Sequence, residues 1–121
     1  MKYVLLMYAD PAQTKAMTAY DRDVVARKHA ALRAELSSSG ELLDGAGLAY
    51  PADTTTFRLD GGAVATSQGP LLTSTVQLTA YYLVRCPGED RAHAIAAHLL
   101  DFHVTAVEVR PVHDSAHTDP S

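Results

Sequence analysis

A chain of 121 residues, 47% apolar and 20% charged, is expected to make one domain around one core and is too apolar for a disordered segment. Its net charge of −4, with no basic patch interleaved with aromatics, excludes a protein that tracks nucleic-acid phosphates. The single cysteine, Cys86, excludes an internal disulfide framework or a thiolate zinc site. No signal-like start and no apolar run of bilayer length is evident, so a cytoplasmic protein with no membrane partner is expected. Abundant alanine, and lysine scarce beside arginine, point to a GC-rich bacterial genome.

Lys2 to Tyr8 is an uninterrupted apolar run of strand length and reads as a central strand. Asp10 is placed to cap a helix with Pro11 at its first position. Helical periodicity then runs from Ala12 to Ser39, as a first segment near 12–18 and a main helix at 20–38. Met17, Tyr20, Val24, Val25, Ala31, Leu32 and Leu36 form its expected apolar stripe. Ser37 to Gly40 is a stop signal. Glu41 to Tyr50 reads as a short strand or extended crossing with glycine bends. Thr54 to Leu59 and Ala63 to Thr66 flank Asp60-Gly61-Gly62, which predicts a hairpin. Thr56 and Arg58 share one face of its first strand; Thr55, Phe57 and Leu59 share the other.

The turn Ser67-Gln68-Gly69-Pro70-Leu71-Leu72 leads to a strand over Gln77–Val84, with apolar residues on both parities. Pro87-Gly88 opens a second helix at about Asp90 to Leu100, with Ala92, Ile95, Ala96 and Leu99 as its stripe. Val104 to Val112 is the last strand, closing a domain of residues 1–112, and residues 113–121 read as a loose polar tail. This order predicts an α+β fold: an antiparallel sheet with helices on one face. Apolar residues on both sheet faces call for a second cover, which a partner subunit would supply.

Gln68 to Val84 resembles the signature of the YciI-related (YCII, or DGPF-domain) family: Asp-Gly-Pro-Phe, a polar segment, Gln-Leu, two small residues, then Tyr-Tyr and aliphatics. Gly69, Pro70, Gln77, Leu78, Tyr81 and Tyr82 match in register. Lys2–Tyr8, Thr55-Thr56-Phe57-Arg58 and Val107–Val112 are similar to the family's first, Thr-Thr-Val-Arg and closing Glu-Val-Arg-Pro-Val strands. The resemblance implies a ferredoxin-like fold assembled as a dimeric α/β barrel, hence a homodimer. The chain departs from the pattern where Gln68 replaces the motif acid and Leu71 its Phe, so a role for the motif aspartate does not carry over.

His29 lies at Val25+4 and Leu32−3, on the edge of the buried stripe, where an imidazole titrates near neutrality. The alternative is a core-edge histidine bonded to a carbonyl. The resemblance places a proposed acid/base histidine at this helix position. Arg58, a cation within a strand, is a candidate clamp for a carboxylate or enolate, or an edge arginine facing water. Gln68 can orient a carbonyl but cannot take a proton. Tyr81 and Tyr82 face opposite sides, and parity alone does not say which meets a substrate. Glu108 and Arg110 share a face and read as a structural ion pair. His98, Asp101 and His103 are metal-ligand types in no standard zinc spacing, with His93 off-face from His98; a solvated helix end is the simpler reading. No phosphate-binding glycine loop, nucleotide motif or Ser-His-Asp elbow occurs, so neither cofactor nor metal is expected.

Two functions follow as expectations. One is a cofactor-independent isomerase- or lyase-type enzyme on a small carbonyl-containing substrate, in secondary metabolism. His29 would move the proton, Arg58 or Gln68 would hold the oxygen, and a tyrosine would contact the ligand. The family resemblance adds dehydrochlorinase-like elimination. The other is a non-catalytic ligand-binding or regulatory dimer, such as the sigma-factor-associated proteins that DGPF-type chains resemble.

Overall fold

The apolar run after Met1 becomes β1 (Lys2–Ala9), and every second residue of it is buried: Tyr3, Leu5, Met7 and Ala9. That alternation sets one face of β1 against the helices and leaves Val4, Leu6 and Tyr8 on the other face. In the computed structural model, which describes residues 1–114, β1 lies inside a four-stranded antiparallel sheet. Its neighbours are β5 (Gln77–Arg85) and β6 (Ala106–Pro111), while β2 (Leu42–Gly47) borders β5, giving the order β2-β5-β1-β6. The fold is α+β and ferredoxin-like, with a separate two-stranded ribbon, β3 (Thr55–Asp60) and β4 (Ala63–Gln68), inserted between β2 and β5.

Local signals account for the element ends. Asp10 caps α1 (Pro11–Ala16) by accepting from the Ala12 N–H at 2.9 Å, with proline at the start of the helix. α2 (Ala19–Ser38) begins with a reciprocal box. Thr18 Oγ1 accepts from the Asp21 N–H at 3.0 Å, and Asp21 Oδ2 accepts from the Thr18 N–H at 3.2 Å. Gly40, at φ 79°, closes it. The predicted hairpin forms with Gly61 and Gly62 as its two loop residues, both at positive φ. Its pairing extends to Gln68, two residues beyond the expected strand end. The segment read as a strand or crossing is a strand. Gly45 and Gly47 sit in extended backbone there, and the irregularity is a register shift between Leu42 and Asp44.

The core lies between the sheet and two helices. Tyr3, Leu5, Met7, Tyr82 and Val84 meet Leu36 of α2 and Ala92, Ile95 and Leu99 of α3 (Glu89–Leu99). The expected α3 stripe is therefore buried in full, Ala96 included. The α2 stripe needs correction. Tyr20 is 73% exposed and Val24 is also exposed, as is Ala31. The helix is turned so that Val25, His29, Leu32 and Leu36 face inward, one step around from the Tyr20–Val24–Ala31 line. Leu36 alone is fully buried, so it fixes that rotation. Arg91 of α3 grips Glu41 ahead of β2, donating to both carboxylate oxygens at 2.7 and 3.0 Å. Cys86, which follows β5, exchanges two main-chain hydrogen bonds with Met1 and is 2% exposed.

The last strand starts two residues later than expected, because Asp101 Oδ1 holds His103 and Val104 in a turn. Of the expected tail, residues 115–121 lie outside the described residues. Among the described residues, no helix is long and apolar enough to cross a membrane.

Gly45 is needed for packing. A Cβ there would come within 2.8 Å of the Tyr82 ring and 3.2 Å of the Tyr81 carbonyl, whereas one at Gly47 would meet nothing within 4 Å. Tyr82 is 4% exposed and cannot swing away. Gly45→Ala should therefore cost about 1–3 kcal/mol in denaturant unfolding, and Gly47→Ala should stay within about 0.5 kcal/mol of the parent.

Candidate functional site

The rotation of α2 that seats Leu36 also presents His29 and Arg33, four residues apart, to the open end of the sheet. There they wall a cleft of about 370 Å³ between α2, β2, β5 and the loop before β6. The floor is Gly45 to Leu48 with Thr79, Ala80 and Met7; Tyr82 and His103 complete the polar lining, and Val25, Ala26 and Val104 the apolar rest. A smaller hollow of about 280 Å³ adjoins it, sharing Leu48, Thr79 and His103 and extending under Pro11, Thr14 and Tyr50.

Asp101 organises the polar side. Its Oδ1 accepts from the backbone N–H groups of His103 and Val104 at 2.8 and 2.6 Å. Its Oδ2 lies 3.5 Å from His29 Nε2 and accepts from Lys28 Nζ at 3.3 Å. Lys28 also donates to the Leu100 carbonyl at 2.8 Å, so the loop after α3 is fastened to α2 at two points. Burial pushes the Asp101 carboxyl up, but the Val104 and His103 N–H donors and Lys28 together bring it below its ordinary value, leaving an anion. Burial dominates at His29 and lowers its pKa below 6.5, against the upward pull of Asp101 and with the help of Lys28, His103 and Arg33. His29 is thus neutral at pH 7, with a carboxylate placed to stabilise its protonated form.

His103 is held from the other side. Its Nδ1 is 3.1 Å from Thr14 Oγ1, whose hydroxyl donates to the Asp10 carbonyl at 3.2 Å. The Thr14 hydroxyl thus ties the His103 ring to the start of α1. Burial raises the Tyr82 hydroxyl pKa, while Arg33 lowers it through its charge and a hydrogen bond.

Of the sequence-predicted residues, His29 and Tyr82 meet in this cleft, which answers which tyrosine faces it. Tyr81 points to the opposite sheet face and donates to Asp44 Oδ2 at 3.0 Å. Arg58 is exposed on the ribbon, and Gln68 donates to the Ala52 carbonyl at 2.8 Å; neither lines the cleft. The motif turn instead closes the base of the ribbon. Gly69, at φ 104°, donates from its N–H to the Thr54 carbonyl and accepts from Thr56 Oγ1 at 2.7 Å. Glu108 and Arg110 are exposed on the outer face, where Glu108 hydrogen-bonds Tyr8. His93 and His98 are exposed, and among the described residues no three metal-ligating side chains converge.

Sequence reasoning missed Arg33 and His103 in the cleft lining and Asp101 behind it. Arg33 was within reach of it, one helical turn after His29. Asp101 and His103 stood out as a local cluster, but their link to a helix 72 residues away in sequence is a tertiary fact.

The His29 ring should titrate by NMR with a midpoint below 6.5, and lower still in Asp101→Asn, because Asp101 is the group that raises it. The sign for stability follows: the unfolded chain binds this proton more readily, so His29's contribution is intact above pH 6.5 and declines as the pH falls below it. A midpoint that rises in Asp101→Asn would contradict the assigned pairing.

A family model for the YCII-related domain matches residues 1–115. An uncharacterized protein of Rhizobium meliloti (strain 1021) is 28% identical over 114 residues, covering 93% of this chain and 92% of its own. With the ferredoxin-like sheet, the Gly69-Pro70 turn and the Tyr81-Tyr82 strand in place, the match spans nearly the whole chain, which belongs to the YCII-related family.

Proposed function

We propose that the cleft is the active site of a cofactor-independent enzyme that moves a proton next to a carbonyl group in a small organic substrate. The observation that carries this is the His29–Asp101 pair at the cleft wall: an imidazole neutral at pH 7, with a carboxylate 3.5 Å from Nε2. The ring nitrogen not facing Asp101, Nδ1, takes the proton from the carbon beside the carbonyl. The electron pair moves onto the carbonyl oxygen, and the resulting imidazolium is balanced by Asp101. The Tyr82 hydroxyl and Arg33 support the enolate oxygen. Return of the proton to another carbon completes an isomerisation; departure of a leaving group from the next carbon completes an elimination. Arg58 and Gln68 lie outside this cleft and take no part in this reading.

A second reading, a non-catalytic ligand-binding or regulatory protein, draws on Gln68. At the motif's acid position stands an amide that holds the ribbon in place. Both readings use the same cleft and the same assembly, a homodimer closed over the outer sheet face. That face offers Val4, Leu6 and Leu83, and the chain's helices pack on the other side. Phe57, Leu59 and Val64 are exposed on the ribbon.

A screen of carbonyl-containing metabolites in deuterated water, read by mass and NMR, separates the two readings. The enzyme exchanges or converts at least one compound, and His29→Gln lowers that rate by about 10²–10⁴-fold. Unchanged turnover in His29→Gln would remove the base; binding without exchange would favour the second reading. For the assembly, sedimentation should show two subunits, and Leu83→Glu on the outer face should yield monomers that keep the parent's secondary structure.

A further inference from the structure

Resting on that reading of the cleft, we propose that its ligand is an organic carboxylate, with the acid group held by Arg33 and the apolar body lying over the Gly45–Leu48 floor. The charge of the cleft carries the inference. In a chain of net charge −4, the cleft lining holds the Arg33 guanidinium and no acidic side chain. The one carboxylate behind it, Asp101, is already engaged by Lys28, His29 and two backbone N–H groups, so it does not neutralise Arg33. A guanidinium at the wall of a cleft that holds no carboxylate selects an anion, and its planar fork matches a carboxylate. Inorganic anions would leave the rest of the lining unused, because the floor carries only glycine, alanine, leucine, methionine and threonine.

The floor also limits shape. Gly47 and Ala80 are paired across β2 and β5, and the room above Gly47 is empty to 4 Å. A flat or unbranched body fits there, and its far end points toward the adjoining hollow through the shared residues Leu48, Thr79 and His103. An acid that also bears a carbonyl, such as a 2-oxo or 3-oxo acid, would present its reacting carbon between Arg33 and His29. Arg33 is thus a specificity-determining residue that acts on the substrate's charge.

Matched acids and primary amides test this on the full-length protein: benzoate against benzamide, hexanoate against hexanamide, and phenylpyruvate, with inorganic phosphate as the bare anion. Binding is followed by NMR shifts of the described cleft residues. The acids should bind and the amides should not; Arg33→Gln should weaken the acids roughly tenfold to a hundredfold. Gly47→Val should abolish binding while the melting temperature holds, since its Cβ meets no neighbour and its backbone is extended. Equal binding of acid and amide, phosphate as tight as the organic acids, no binding of any acid in the tens of millimolar, or indifference to Arg33→Gln would each overturn the proposal. The two readings fail separately. Acids that bind wild type and His29→Gln alike, with no exchange in either, sink the proton transfer and leave the carboxylate site. His29-dependent exchange confined to neutral carbonyl compounds does the reverse.

Discussion

A single carboxylate decides how the open end of this fold is arranged. Asp101 uses one oxygen to bend its own loop, through the N–H groups of His103 and Val104, and the other to hold α2, through Lys28 and His29. The two tasks are coupled. The bend seats Val104 in the core at 2% exposure and aims His103 at the cleft, and the second oxygen sets the spacing between that loop and the helix. A carboxylate with several donors stays ionised despite partial burial, so it also sets the local potential around His29. Structure and chemistry at this end therefore share one residue.

The sheet separates functions by parity. Tyr81 and Tyr82 are adjacent in β5, yet the first bonds Asp44 on the outer face and the second lies on Gly45 inside. The outer face, with Tyr8–Glu108, Tyr81–Asp44 and the aliphatics between them, is a candidate for contact with another subunit. The inner face carries the core at one end and the cleft at the other. Gly45 and Gly47 mark the change: the first is filled by a tyrosine ring, and the second opens onto the cleft.

Much of the fold was legible in residue order. Alternating burial in β1, the α3 stripe, the Gly61-Gly62 hairpin and the Ser37–Gly40 stop are local patterns that obey local rules. The α2 rotation was less legible. Tyr20, Val24 and Ala31 fit a helical stripe as well as Val25, Leu32 and Leu36 do, and only contact with the sheet chooses between them. The site divides the same way. His29 was visible as a histidine on a stripe's edge, and Tyr82 as one of an alternating pair. Asp101 was visible only as a polar residue after a helix, since its partner belongs to a different element. The Gly-Pro turn attracted attention by its chemistry, and the structure shows it closing a ribbon.

Cys86 has a practical meaning beyond packing. It follows the strand paired with the chain's first residues, and burial, with Glu41 nearby, raises its thiol pKa, so it is unreactive while the strands stay together. A thiol reagent reaches it when the β1–β5 seam parts. The rate of labelling at this one sulfur thus becomes an internal clock for strand separation in the purified protein.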